Sequence, residues 1–367
     1  MNRLPAPGAA LRMVGDVLDQ MPEPAADGQV RALEAELEAA TGTWHAIAVS
    51  SGTAALHTAL AACGAGPGDE VLVPAVAVIM TIAAVVAVGA RPVLVDAGAD
   101  GEPIDLGDLA AKITRRTRAV LPVHFAGRTG DMDTLLRTAG AHDLVVIEDA
   151  CQAQGSRYRG RLAGTLGQAG CFSLKDGKLV SCGEGGYLLT GDPQLAARAA
   201  AFRNHGTPPG AGPAARTRLG LNYRLAEPLA AIARASLAGL GDAVAERRRQ
   251  TGLLTSLTGE VGGLQPVSVP AGEQPNGYAA LWRIGLDDPR GFCEHLAACG
   301  VPNSTGSFGF RALSVDPACQ SLHPVACPRA EDLASRLLAV PVTARTTDEQ
   351  IATMAAIITR EARRWGA

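Results

Sequence analysis

In the stretch CFSLKDGKLVSCGEGGY, from Cys171 to Tyr187, two lysines lie three residues apart, Lys175 and Lys178. Lys112 is the only other lysine, and arginine supplies the rest of the 33 basic residues. GC-rich coding would produce that bias, and it makes each retained lysine worth explaining. A lysine amine beside a buried turn is a candidate Schiff-base nucleophile, a role closed to arginine because its guanidinium stays protonated. A pair of solvated turn lysines is the plainer alternative. Two further features could do chemistry. Ser50-Ser51-Gly52-Thr53 separates the apolar run HAIAV from the helical run AALHTALAAC. Hydroxyls and free amides at a helix start make an anion site, and Gly52 lets a ligand approach the backbone; alone, the same residues read as an N-cap. Asp149 closes the apolar run LVVIED, where an acid can cap a helix, pair with a cation or serve catalysis. Cys151 has no patterned histidine partner and reads as a buried structural thiol.

Taken together, the three features change the reading. An anion site, an acid for a protonated ring nitrogen and a lysine for an aldehyde are the parts pyridoxal 5′-phosphate (PLP) requires. Asp149 would keep the pyridine nitrogen protonated, and the lysine would move the proton at the substrate carbon.

Alternating elements must position these residues. Strand-like HAIAV, EVLVP, PVLVD, RAVLPVHF and LVVIED are separated by helical segments, which predicts a mostly parallel sheet covered on both faces. Ligands gather at the carboxyl ends of strands in such sheets. Val30, Leu33, Leu37 and Ala40 recur at helical spacing with Gly42 as a stop. Ala75 to Val88 reads as a buried helix, too short to cross a bilayer. A long helical region is expected from Leu225 to about Leu257, followed by an α+β lobe with a strand near 278–285 and a helix near 290–299.

The bulk numbers exclude other classes. With 47% hydrophobic and 19% charged residues, the 367-residue chain is globular and long enough for two lobes. A net charge of −3 offers no basic field for nucleic acid or an acidic membrane. Eight cysteines without a signal-like N-terminus point to reduced thiols in the cytoplasm. Cys319, His323 and Cys327 lack the paired CxxC of strong zinc sites, so no metal is expected. CGAGPGD follows a helix, not a strand, and fails the context of a dinucleotide-binding loop.

The blocks SSGTAAL, GPGDEVLVP, GARPVLVD, PVHFAG with DMD, IEDACQA, FS with K and GEGG, RNHG and LNYR resemble the DegT/DnrJ/StrS family of PLP-dependent aminotransferases. The likeness covers nearly the whole chain and rests on the order and spacing of the blocks. It implies the fold type I aminotransferase architecture, with a large PLP-binding domain over residues 1–243 and a smaller C-terminal domain over 244–367. It implies Lys178 as the Schiff-base residue, six positions after Phe172 and six before Glu184. Asp149 then faces the pyridine nitrogen and Gln152 the O3′ side, while Gly52, Thr53 and Ser173 bind the phosphate. Asn222 reaches the phosphate of a neighbouring subunit, which implies a homodimer with shared sites. The implied reaction carries an amino group from glutamate or glutamine to a keto-sugar or keto-cyclitol, in antibiotic or other secondary-metabolite biosynthesis.

The chain departs from that pattern in two places. Val78 stands where the family usually stacks an aromatic residue on the cofactor, and such a stack is worth about tenfold or less in affinity. The loss gives some weight to a non-catalytic partner protein of the same fold. GKL before GEGG, together with FGFRAL, is similar to 3-amino-5-hydroxybenzoate (AHBA) synthases. That subgroup carries His at the place of Gln152, which keeps transamination ahead of the aromatising reaction. A pyridoxamine-dependent dehydratase would need His at position 178. Acceptor choice is assigned to the N-terminal segment, the 206–220 loop and the 303–312 segment.

Overall fold

The computed structural model describes residues 7–20, 28–99, 101–322, 324–343 and 345–366. A seven-stranded sheet organises the larger part. In chain order its strands are β1 (His45–Val49), β2 (Glu70–Pro74), β3 (Arg91–Val95), β4 (Thr117–Val120) and β5 (Val145–Asp149). After the short β6 (Arg157–Tyr158) and β7 (Arg161–Leu162) come β8 (Ala169–Ser173) and β9 (Gly186–Thr190). Across the sheet the order is β1-β9-β8-β5-β4-β2-β3, and β9 alone runs antiparallel to its neighbours.

Period-two burial explains why the strands form. Val71 and Val73 point into one core with Ile147 and Leu188, while Leu72 points through the other face toward Val120, Val146, Met132 and Leu135. Both faces are dry because helices cover both, which is what parallel strands require. The helix Gly28–Thr41 buries Val30, Leu33 and Leu37 as the spacing predicts, and stops at Gly42 with φ 69°.

The smaller part is built on β10 (Leu264–Pro266), β11 (Glu273–Gln274), β12 (Ala279–Ile284) and β13 (Leu337–Pro341). The strands β10, β12 and β13 form one sheet, whereas β11 joins β6 and β7 in a third and so ties the two parts together. A separate core of Trp282, Phe292, Leu338, Ile351 and Ile358 fills this lobe. The helix Leu240–Thr258 runs through residue 243 without a break, and Ala312, Leu313 and Leu337 pack into the core of the large sheet.

Two sequence expectations differ from the structure. The region from Leu225 onward forms two helices, Glu227–Leu237 and Leu240–Thr258, because Gly239 leaves helical geometry between them. The segment after Pro74 becomes helical only at Ile79, and Met80 and Val86 on that helix are exposed although the run is apolar throughout. All eight cysteines are free. Of the trio Cys319, His323 and Cys327, the two cysteines are fully buried and His323 lies outside the described residues.

Candidate active site

The strands β1, β2, β4, β5 and β8 share one direction, so the segments that follow them converge on the carboxyl edge of the sheet. After β1, Ser51 caps the helix Gly52–Ala62 by accepting from the Ala54 amide at 3.0 Å. The first amides of a helix have no partner inside it, so those of Gly52 and Thr53 remain for an anion. Glycine is required at position 52 because a Cβ there would lie 2.9 Å from Cβ of Ser173 and 3.0 Å from Sγ of Cys151. This close approach brings the β1 loop and the end of β8 onto Cys151.

Asp149 ends β5 and is 3% exposed. Its Oδ2 accepts from the Thr81 hydroxyl at 2.7 Å, and its Oδ1 accepts from the Cys151 amide at 3.2 Å. Thr81 lies in the first turn of the helix Ile79–Ala87, so the half-buried Val78 at the start of that helix is drawn over the same edge. Gln152 accepts from the Ala126 amide at 2.7 Å, linking it to the segment after β4.

The Lys178 loop joins β8 to β9. Amide hydrogen bonds from Leu174 to Gly185 (2.8 Å), Cys182 to Leu174 (2.9 Å) and Asp176 to Gly183 (3.1 Å) close its base. Within it, Lys175 to Lys178 make a turn closed by the Lys178 amide on the Lys175 carbonyl at 3.2 Å, with Gly177 at φ 89°. Gln154 holds the far side, accepting from the Val180 amide at 2.9 Å and donating to the Ser173 and Val180 carbonyls. The GEGG motif has a steric cause: a Cβ on Gly186 would sit 2.4 Å from the Ser51 carbonyl oxygen.

Cys151 sits among these groups. Burial pushes its thiol pKa well up, the Asp149 charge raises it further and the Lys178 charge opposes. The sulfur therefore stays a protonated thiol, not a nucleophile. Asp149 accepts the Cys151 amide directly, and the Lys178 charge is near enough to act on the same thiol. Lys178 Nζ lies 3.4 Å from the Tyr278 hydroxyl and 5.0 Å from the centre of its ring.

Asn222 stands apart. It is exposed, and no hydrogen bond ties it to Lys178 or Asp149 among the described residues. Its neighbour Tyr223 accepts the Ser50 amide at 2.9 Å. Sequence reasoning did not reach Thr81, Gln154, Arg247, Asn276 or Tyr278. Their partners lie 26 to 124 positions away in the chain, so no local spacing could reveal them. In Asn276-Gly277, the only visible signal is that of a turn.

These residues fit PLP. An anion cradle that a Cβ would fill, a buried carboxylate and a partly exposed lysine stand on one sheet edge, the donor set a phosphate, a pyridine and an aldehyde ask for. Fold and site together define a fold type I, PLP-dependent aminotransferase. The chain belongs to the DegT/DnrJ/EryC1/StrS aminotransferase family, whose pattern matches residues 16–359. It is 43% identical over 216 residues to GDP-perosamine synthase of Caulobacter vibrioides, a match spanning 58% of this chain and 57% of that protein. It is 36% identical over 316 residues to dTDP-3-amino-3,4,6-trideoxy-alpha-D-glucose transaminase of Streptomyces venezuelae, covering 86% of this chain and 82% of the relative. The crystal structure of AHBA synthase superposes with a TM-score of 0.90 at 30% identity, covering 99% of this chain and 98% of that one.

Proposed function

We propose that this aminotransferase moves an amino group from glutamate or glutamine onto a keto-sugar or keto-cyclitol in secondary-metabolite biosynthesis. The observation that carries the reading is the convergence of Lys178, Asp149, Gly52 and Ser173 around Cys151. When bound, PLP supplies the electron sink that lets an amino acid release its α-proton and its nitrogen. The residues of the chain do the rest. The Gly52 and Thr53 amides and the Ser173 hydroxyl would hold the phosphate, and Gln152 would serve the O3′ side. Asp149 provides a fixed negative charge for the ring nitrogen, because Thr81 and the Cys151 amide already orient both of its oxygens. Lys178 takes and returns the proton in both half-reactions.

The relatives support the acceptor class, since two of them are named for making aminosugars on nucleotide carriers. AHBA synthase is the second reading, favoured by its structural likeness. Gln152, where that subgroup carries His, supports simple amino transfer over aromatisation. A homodimer with Asn222 reaching the partner's phosphate belongs to the same proposal, supported by the exposure of Asn222 and of the apolar Met80, Val86, Leu219 and Leu221. So do a domain division at residues 243 and 244, inside the helix Leu240–Thr258 and supported by the separate core of the C-terminal lobe, and a cytoplasmic home, supported by the eight free cysteines.

Lys178→Ala tests the assignment. The variant is expected to lose donor-dependent conversion of PLP to pyridoxamine phosphate by at least about a hundredfold, the scale of a lost general base. Turnover at the wild-type rate with glutamate or glutamine and a ketosugar would refute the role. Wild-type protein that binds no PLP would support the non-catalytic alternative raised by Val78.

A further inference from the structure

The least expected neighbour of Lys178 comes from the other end of the chain. Tyr278 directly precedes β12, and its hydroxyl lies 3.4 Å from Nζ, with the amine 5.0 Å from the ring centre. The oxygen contact is long for a hydrogen bond, but the ring face adds attraction for a cation within about 6 Å. Arg247 flanks the same ring, its Cζ 5.9 Å from the centroid. It is 2% exposed and donates to the Gly177 carbonyl at 2.8 Å, inside the turn that carries Lys178. Its Nε is buried without a hydrogen-bond partner among the described residues, and burial lowers its pKa. A buried guanidinium is costly to maintain, and here its hydrogen bond goes to the catalytic turn.

The tyrosine is anchored as firmly. Asn276 is 1% exposed; its side-chain amide donates to the carbonyls of Gln152 and Gln154 at 2.9 Å each, and its Oδ1 accepts the Tyr278 amide at 3.0 Å. Gly277 at φ 76° lets this segment press on the helix Leu240–Thr258, since a Cβ there would lie 2.6 Å from the Arg247 backbone carbon. The segment after Asp149, the Lys178 turn and the C-terminal lobe are thus locked around one amine.

We propose that Tyr278 is a positioning residue for the Lys178 amine, with Arg247 fixing the ring on one side and the lysine turn on the other. Lysine has a flexible four-carbon stem, yet it must act as a base at one carbon and as an acid at another. A phenol accepts from an ammonium and donates to a neutral amine, so Tyr278 can hold Lys178 in both protonation states. The inference rests on Lys178 being the residue that carries the cofactor.

Tyr278→Phe removes the hydroxyl and keeps the ring. Holding wild-type and variant protein against PLP, one measures the rate of covalent attachment at Lys178 by borohydride reduction and peptide mass spectrometry. Attachment should slow about tenfold, the scale of one hydrogen bond to a charged group. With glutamate, kcat should fall by a similar factor while KM stays within about twofold, as expected when ground-state binding is untouched. Attachment at the wild-type rate would overturn the proposal. If Tyr278→Phe does not fold, fluorotyrosine at position 278 keeps the shape and lowers the phenol pKa. The pH profile of attachment should then move to lower pH, and a superimposable profile would overturn the role. Wild-type protein unlabelled at Lys178 would instead remove the Lys178 assignment, and this inference with it.

Discussion

At the residue scale, Asp149 shows how a charge is kept useful. Two donors, the Thr81 hydroxyl and the Cys151 amide, hold its carboxylate at the end of β5. Asp149→Asn keeps an oxygen for one donor, and the Thr81 hydroxyl can reverse, so the fold should survive with a loss of about 1–3 kcal/mol. The fixed negative charge would be gone. Turnover should fall by about 10²–10³, the scale of removing one preorganised electrostatic contact, with PLP still attached. Measuring kcat alongside the thermal melt separates the two effects; an active Asn variant would show that the charge at position 149 is dispensable. Lys175 has a plainer environment: it is exposed, and its amide donates to the Ser173 hydroxyl at 3.3 Å. That contact ties the backbone at Lys175 to Ser173, the proposed phosphate residue, and leaves the exposed side chain to solvent.

At the element scale, the edge of the sheet opposite the site is clamped. Glu70 begins β2 with its side chain 1% exposed, and accepts from Thr114 at 2.6 Å and from Arg91 and Arg116 at 2.7 Å. Those partners border β3 and β4, so one carboxylate ties three neighbouring strands. Burial pushes Glu70 up, but the hydrogen bonds from Thr114, Arg91 and Arg116 outweigh it and hold its pKa at about 2, against an ordinary 4.5. A depressed carboxyl pKa gives stability that is complete above about 4.5 and disappears as pH falls through about 2. Glu70→Gln should therefore cost about 1–3 kcal/mol at neutral pH, because both arginines are largely solvated. Denaturant melts should show the gap narrowing below pH 4.5 and closing near 2. A constant gap across that range would show that Glu70 acts by packing, not by charge.

At the scale of the whole molecule, the proposed dimer makes a stricter claim than assembly alone. If Asn222 completes the partner's phosphate site, Asn222→Ala and Lys178→Ala damage different halves of each shared site. Mixing and reassembling the two inactive variants should produce hybrids with one intact site. A statistical mixture should recover about a quarter of wild-type activity, since half of the dimers are hybrids and each holds one good site. No recovery, with hybrids confirmed by mass, would place Asn222 in its own subunit's site, where Tyr223 beside it already bonds to Ser50.

Much of this protein is legible along the chain because the relevant forces are local. Strand alternation, the cap at Ser51, the turn at Gly177 and the acid at the end of β5 depend on neighbours a few positions away. So did the expectation of Lys178 as the reactive lysine, which the likeness of short ordered blocks carried. Where side chains from distant segments meet, only the fold decides. Gly186 must be glycine because β9 runs against Ser51, and Thr81 meets Asp149 because a helix start crosses β5. Tyr278 reaches Lys178 across 100 positions. Contacts of this kind arise from backbone packing between elements, which no sequence period records.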